Sequence, residues 1–162
     1  METYRGVVYP WQCDHQGHLN TMHYVGMFDA AFWHQLSAMG FTRAYLDERN
    51  RGFVDVKDTL TYQAEITVGG LVVIDSHLVR IGGKSVTALF TMRDAESGEI
   101  AATSEKVTVY FDLKARQSVA LPDDMREAMA GYLVPSRRGA IKRLRSPSAG
   151  GSVAPRFSAI AT

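Results

Sequence analysis

Residues 20–40 read NTMHYVGMFDAAFWHQLSAMG, and the spacing of their apolar side chains sets the first element of the fold. Val25, Phe28, Phe32, Leu36 and Met39 recur every three or four positions, the repeat of one helix face. Asn20 or Thr21 can cap the first turn, because a short polar side chain accepts a hydrogen bond from an amide that lacks a helical partner. Gly40 supplies the stop, since glycine takes the left-handed conformation at little cost. Met22, Met27, Ala30 and Ala31 fill the other faces, so the pattern predicts a helix that is apolar nearly all round and deeply buried. Such a helix needs a cover on most sides.

The flanking sequence supplies one. Residues 4–9 (YRGVVY) have strand composition and end at Pro10, which cannot donate to a sheet ladder. Residues 10–19 read as a polar loop. After the helix, residues 54–66, 71–81, 85–94 and 100–112 are rich in Val, Thr, Ile, Tyr and Phe. Gly69-Gly70, Gly82-Gly83 and Ser97-Gly98 separate them as hairpin-type turns. The last segment alternates Lys106, Thr108 and Tyr110 against Val107, Val109 and Phe111. Residues 122–133 read as a short helix, with Pro122 in its first turn and Asp123 and Asp124 at the positive end of its dipole. The predicted class is α+β, an antiparallel sheet of about five strands wrapped around one long buried helix. That arrangement leaves one sheet face and the edges uncovered, so the chain is expected to dimerise by pairing edge strands.

Composition agrees with one globular domain. The chain has 162 residues, 46% hydrophobic and 22% charged, with a formal net charge of +1. No apolar run approaches the roughly 20 residues that span a bilayer. The start, METYRGVVYPW, lacks the basic-then-apolar layout of a secretory leader. Cys13 is the single cysteine, which excludes an internal disulfide and fits a reducing compartment, so a cytoplasmic location is expected. Charge is uneven. Residues 135–162 hold six basic residues and no acidic one, leaving twelve Lys and Arg against seventeen Asp and Glu in residues 1–134, a net of −5. The expected organisation is a domain over 1–134 and a basic, flexible tail over 135–162. The tail reads as a solubilising extension, with neither nucleic acid nor membrane expected as a partner.

The loop before the helix gathers Cys13, Asp14, His15, His18 and His23 within eleven positions. A structural zinc site would bring a second Cys or His pair from elsewhere, but His77 stands alone on a strand, so no metal site is expected. Asp14 reads either as the cap of a turn or as a nucleophile or general base in front of the helix amides. Gly17 reads as a position of unusual dihedrals or close substrate approach.

The run CDHQGHLNTMHYVGMFDAA, between a first strand and a buried helix, resembles the hotdog-fold acyl-CoA thioesterases of the 4-hydroxybenzoyl-CoA thioesterase type. The shared residues are Asp14, Gly17, Tyr24, Asp29 and Ala30, supported by TLTYQAEI (59–66) and VTVYFDLKARQSVALPDDM (107–125). The resemblance covers roughly residues 4–130. It implies a homodimer or homotetramer with the active site between subunits, acting on an acyl-CoA. No metal or organic cofactor is implied, and CoA enters only as part of the substrate. In this family the Asp at position 14 is nucleophile or general base, and backbone amides at the helix start, here that of Thr21, polarise the thioester carbonyl.

A second branch, resembling plant acyl-carrier-protein thioesterases, has an Asp and a His separated by three residues, then Val-Asn-Asn. Asp14, His18, Leu19 and Asn20 follow that spacing, which makes His18 a second catalytic candidate. The chain departs from both branches: position 16 is Gln16 rather than Asn, and the His that short-chain bacterial relatives place seven residues after the Asp is Thr21. The expected catalytic set is therefore Asp14, Gly17, His18 and the Thr21 amide. Asn20, Tyr24, Arg80 and Lys84 are expected on the substrate, and Asp29 in a structural hydrogen bond. The competing reading is a non-catalytic module that binds acyl-CoA or an acyl carrier. A hydratase is disfavoured, because neither His-Phe-Pro-Gly nor Asn-Pro-apolar-His occurs.

Overall fold

The structure, a computed structural model, describes residues 1–134; the basic tail expected over 135–162 lies outside the described residues. The chain forms β1 (Glu2–Val7), a 3-10 turn (Pro10–Gln12), α1 (Thr21–Ala38), α2 (Arg43–Glu48), β2 (Arg51–Tyr62), β3 (Leu71–Ile81), β4 (Ser85–Asp94), β5 (Ile100–Asp112), β6 (Gln117–Ser118) and α3 (Asp123–Ala130). The sheet runs β1-β3-β4-β5-β2 with every neighbour antiparallel, and β6 pairs the end of β5. This is the hotdog arrangement, α1 held against the inner face of a curled sheet.

Alternation places the core. Val72, Ile74 and Leu78 of β3 and Val86, Ala88, Phe90 and Met92 of β4 are buried, with half-buried residues between them. Phe28 of α1 meets Phe90 edge-on, with ring centroids 6.4 Å apart. Met125 and Met129 of α3 are fully buried, and the Tyr132 hydroxyl beyond them donates to the Ala38 carbonyl at the end of α1 (3.0 Å).

Three expectations need correction. The first concerns α1, which is not buried all round: Tyr24, Met27, Phe28, Ala31, Phe32, Gln35 and Leu36 face the core, whereas Val25 is 46% exposed, Met22 68% and Trp33 46%. The sheet embraces one side only, so the opposite flank stays open within one protomer. The second concerns Asp29, which is exposed on that flank and whose side chain forms no hydrogen bond among the described residues. The third is α2, which is absent from the sequence reading; Thr42 caps it by accepting from the Tyr45 amide (3.3 Å), and Leu46 anchors it in the core.

The strand β2 begins three residues earlier and ends four earlier than expected, and it forms an open edge of the sheet. Every residue from 54 to 59 is exposed. A bulge between Asp55 and Lys57 inserts Val56, so Asp55 opposite Thr108 and Asp58 opposite Lys106 both face inward. There the Lys106 side chain, 3% exposed, places Nζ 2.6 Å from Asp55 Oδ2 and 3.3 Å from Asp58 Oδ2. No helix among the described residues is long and apolar enough to cross a membrane.

Candidate active site

The loop between β1 and α1 is tied down before it reaches the functional residues. Val8 donates its amide to the Gly70 carbonyl (2.9 Å), Asn20 to that of Gln12 (2.9 Å), and Leu19 to that of Ile66 (2.7 Å). Inside these anchors, residues 14–18 close on themselves: the Asp14 amide donates to the His18 carbonyl (2.9 Å) and the Gly17 amide to the Asp14 carbonyl (3.1 Å). Gly17 makes this closure possible, since its φ of 82° is costly for any residue with a Cβ.

The turn fixes the Asp14 carboxylate. Oδ1 accepts from the Gln16 amide (2.8 Å) and the His18 amide (3.3 Å), leaving Oδ2 free among the described residues. The Gln16 hydrogen bond is the main cause holding the carboxyl below its usual range; partial desolvation opposes it, while the His18 amide and the His15 and His18 imidazoles add to it. Asp14 is therefore ionised at neutral pH.

The start of α1 faces this carboxylate's cleft. Asn20 caps the helix as expected, its Oδ1 accepting from the Met22 amide (3.0 Å) and its carbonyl from the His23 amide (2.9 Å). The Thr21 amide is left without an acceptor among the described residues. A free amide at a helix N-terminus carries the positive end of the dipole and suits an anionic oxygen.

A cleft of about 170 Å³ is lined by Asp14, His18, Thr21, Tyr24, Tyr62 and Glu65. Tyr24 is buried, with its ring edge-on to Tyr62 at 5.2 Å; burial above all, with Tyr62 beside it, pushes its hydroxyl up to about 12, so it stays a hydrogen-bond donor. His18 places Nε2 3.4 Å from Glu65 Oε2. The imidazole thus pairs with Glu65, and it is the His18 backbone that touches Asp14.

The structure brings Asp14, His18, Thr21 and Tyr24 together in this cleft, with Gly17 and Asn20 in the adjoining loop. Glu65 is the residue sequence reasoning missed. A lone Glu after a strand carries no signal; the backbone bridge of His18 to Thr67 brings it in. Arg80 and Lys84 are not brought here. Lys84 accepts from the Tyr110 amide and donates to the Ser118 carbonyl (3.2 Å), whereas Tyr62 at the cleft pairs with Ala102. Eight residues of β5 separate those two points, about 27 Å of strand. Among the described residues no three His, Cys, Asp or Glu side chains stand close enough to hold a metal ion.

Comparison with known proteins places the chain. The profile of the thioesterase-like superfamily matches residues 8–129. The L-carnitine dehydrogenase/betainyl-CoA thioesterase of Rhizobium meliloti (strain 1021) is 28% identical over 112 residues, 69% of this chain and 22% of that protein. The chain thus spans about a fifth of that relative's length. Two solved structures share the fold. A hypothetical protein of Staphylococcus aureus in complex with CoA has a TM-score of 0.76 at 18% identity, covering 82% of this chain and 84% of that one. The YbaW probable thioesterase of Escherichia coli has a TM-score of 0.71 at 23% identity, covering 81% and 98%.

Proposed function

Because the chain belongs to the thioesterase-like superfamily, we propose that it is a thioester hydrolase that cleaves an acyl-CoA into a free carboxylic acid and CoA. The observation that carries this reading is the pairing of an ionised carboxylate, Asp14, with the unclaimed Thr21 amide across one cleft. The thioester carbonyl oxygen accepts from the Thr21 amide, which stabilises the negative charge that grows on it during attack. Asp14 Oδ2 either attacks the carbonyl carbon, giving an anhydride that water then opens, or takes the proton of an attacking water. In both routes the C–S bond breaks, the thiolate leaves, and the proton taken from water goes to the thiolate. His18, held by Glu65, is the group that carries that proton, and Tyr24 shapes the wall. The CoA bound to the S. aureus structure and the betainyl-CoA activity named for the R. meliloti relative support CoA as the carrier.

The working form is a homodimer joined through β2. An edge strand exposed from 54 to 59, carrying Val54 and Val56 outward, supports pairing with a second copy. Thiol release from a panel of acyl-CoAs, wild type against Asp14→Asn, tests the reading. The expected loss in kcat is about 10²–10⁴-fold. Full activity in the variant would remove Asp14 from the chemistry. Binding of acyl-CoA without thiol release on any chain length would replace hydrolysis with a binding module.

A further inference from the structure

Tyr24 is 4% exposed, yet it lines the same cleft as Asp14 and Thr21. Its ring is fixed edge-on by Tyr62, with centroids 5.2 Å apart. Its oxygen accepts a hydrogen bond from the Ile66 backbone amide. Ile66 is itself anchored, because its carbonyl accepts from the Leu19 amide (2.7 Å) just ahead of α1. These contacts account for the ring and the oxygen but not for the hydroxyl proton. No acceptor takes that proton among the described residues. A tyrosine hydroxyl both donates and accepts, and one held away from bulk water normally has a partner for its proton. Tyr24 therefore presents a fixed donor that the protomer itself does not use.

Helix geometry sets where that donor lies. Side chains on a helix lean towards its N-terminus, so Tyr24 covers the first turn of α1. Three residues amount to about 4.5 Å of rise, less than the length of a tyrosine side chain. The hydroxyl therefore reaches back to the level of the Thr21 amide, which also lacks an acceptor among the described residues. Thr21 and Tyr24 are i,i+3 neighbours on one flank of the helix, and both face the cleft into which Asp14 projects. The Ile66 contact agrees with this placement, since Ile66 pairs with Leu19, two residues before Thr21. Two unused donors thus converge at the start of α1. Of the atoms of a thioester, the carbonyl oxygen is the strong acceptor and the sulfur a weak one. A donor fixed in advance stabilises charge growing on that oxygen without having to reorganise during the reaction.

We propose that the Tyr24 hydroxyl is a catalytic donor to the thioester carbonyl oxygen, completing with the Thr21 amide a two-donor oxyanion hole from the same protomer. The hydroxyl gives a hydrogen bond and keeps its proton throughout, so no bond to hydrogen breaks at Tyr24. Burial, which pushes it up to about 12, suits a donor that stays neutral at any working pH. The proposal rests on the hydrolytic reading above, and the experiment separates the two. Tyr24→Phe keeps the ring against Tyr62 and removes only the hydroxyl. In thiol release from acetyl-CoA, kcat falls about 10²-fold while KM stays within about threefold of wild type. A raised KM at unchanged kcat would make Tyr24 a binding wall and overturn the proposal. A tyrosine that merely supports the loop is tested by infrared spectroscopy of a bound ketone, the acetyl-CoA analogue in which a methylene replaces the thioester sulfur. Its carbonyl is labelled with carbon-13, and nothing in it can be hydrolysed. Bound to wild type, the carbonyl band lies below its frequency in solution, because two donors polarise it. Bound to Tyr24→Phe, it returns roughly half of the way, one of the two donors being gone. A band at the same frequency in both proteins overturns the proposal, whatever the hydrolytic rates and whatever Asp14→Asn shows.

Discussion

Lys106→Met isolates the charge of the most buried ion cluster in the protomer, because methionine retains most of the stem volume and removes the ammonium. In the wild type the ammonium serves two carboxylates at 2.6 and 3.3 Å, and Ser104 Oγ donates to Asp58 Oδ1 at 2.5 Å. The substitution leaves Asp55 and Asp58 facing each other without a cation. Removing one partner of a buried pair costs about 3–5 kcal/mol. Asp55 is 41% exposed and Asp58 21%, so water screens part of that, and the expected loss is about 2–3 kcal/mol at pH 7. For a domain of this size that is a fall in Tm of ~6–9 °C. Protein concentration must be matched, because self-association stabilises by mass action.

The pH dependence makes the test sharper. Burial pulls the Lys106 ammonium down, but the hydrogen bond and charge of Asp55 and the charge of Asp58 more than offset it, and the net direction is up. A folded value above the unfolded one gives stability that is present below about pH 10 and lost as pH rises through the folded value. The gap between wild type and variant is therefore constant from pH 6 to 9 and closes above about pH 10.5. Acid narrows it as well, once the two abandoned carboxylates take up protons. Lys106→Met/Asp55→Asn/Asp58→Asn recovers more than half of the loss. Chemical denaturation across this range is the assay. A variant within about 0.5 kcal/mol of wild type at pH 7, or a gap that persists unchanged above pH 10.5, would refute the reasoning.

Gly17→Ala has room for its Cβ, which meets nothing within 4 Å, so its cost is the backbone at φ 82°, about 1–2 kcal/mol. Its kcat falls more than its KM rises, because the displaced turn carries Asp14. Asn20→Ala loses the cap on Met22 and about 1 kcal/mol by denaturant midpoint, whereas Asn20→Asp retains it. The acid limb of kcat/KM due to Asp14 lies below the ordinary carboxylate range, since the Gln16 and His18 amides hold its carboxyl down. His18→Gln lowers kcat about 10²-fold at pH 7, read by thiol release; full activity in that variant would make the proton carrier another group.

How far the sequence discloses this molecule depends on the range of the interaction involved. The spans of β3, β4 and β5 coincide with the expectation, because glycines at their turns, Gly69 and Gly98 at φ 84° and 75°, punctuate the alternation. A six-residue helix such as α2 has no such punctuation and is held by Leu46 in the core, which no local pattern reveals. Alternation in β5 was legible but its direction was not. Lys106, Thr108 and Tyr110 turn inward and Val107, Val109 and Phe111 outward, since the bulge at Val56 brings two carboxylates in to meet the lysine. The candidate site divides in the same way. Asp14, Gly17, His18, Asn20, Thr21 and Tyr24 fall within eleven positions and could be found together, whereas Glu65 arrives through the pairing of residues 18–19 with 66–67.

The exposed flank of α1 and the open edge of β2 are one feature rather than two. The Tyr24 ring meets Tyr62 at one end of β2, Phe32 meets Phe53 at 6.2 Å near the other, and Trp33 shares a chamber with Gly52. The flank carrying Met22, Val25 and Trp33 therefore runs alongside the unpaired strand. A helix written as apolar nearly all round is then consistent with its sequence, provided that whatever pairs with β2 also covers that flank. A second copy does both at once, because its own flank lies beside its own β2. An unrelated partner would have to reproduce a matching strand and a matching apolar face together, and that double requirement is what makes self-pairing the economical account of the pattern in residues 20–40.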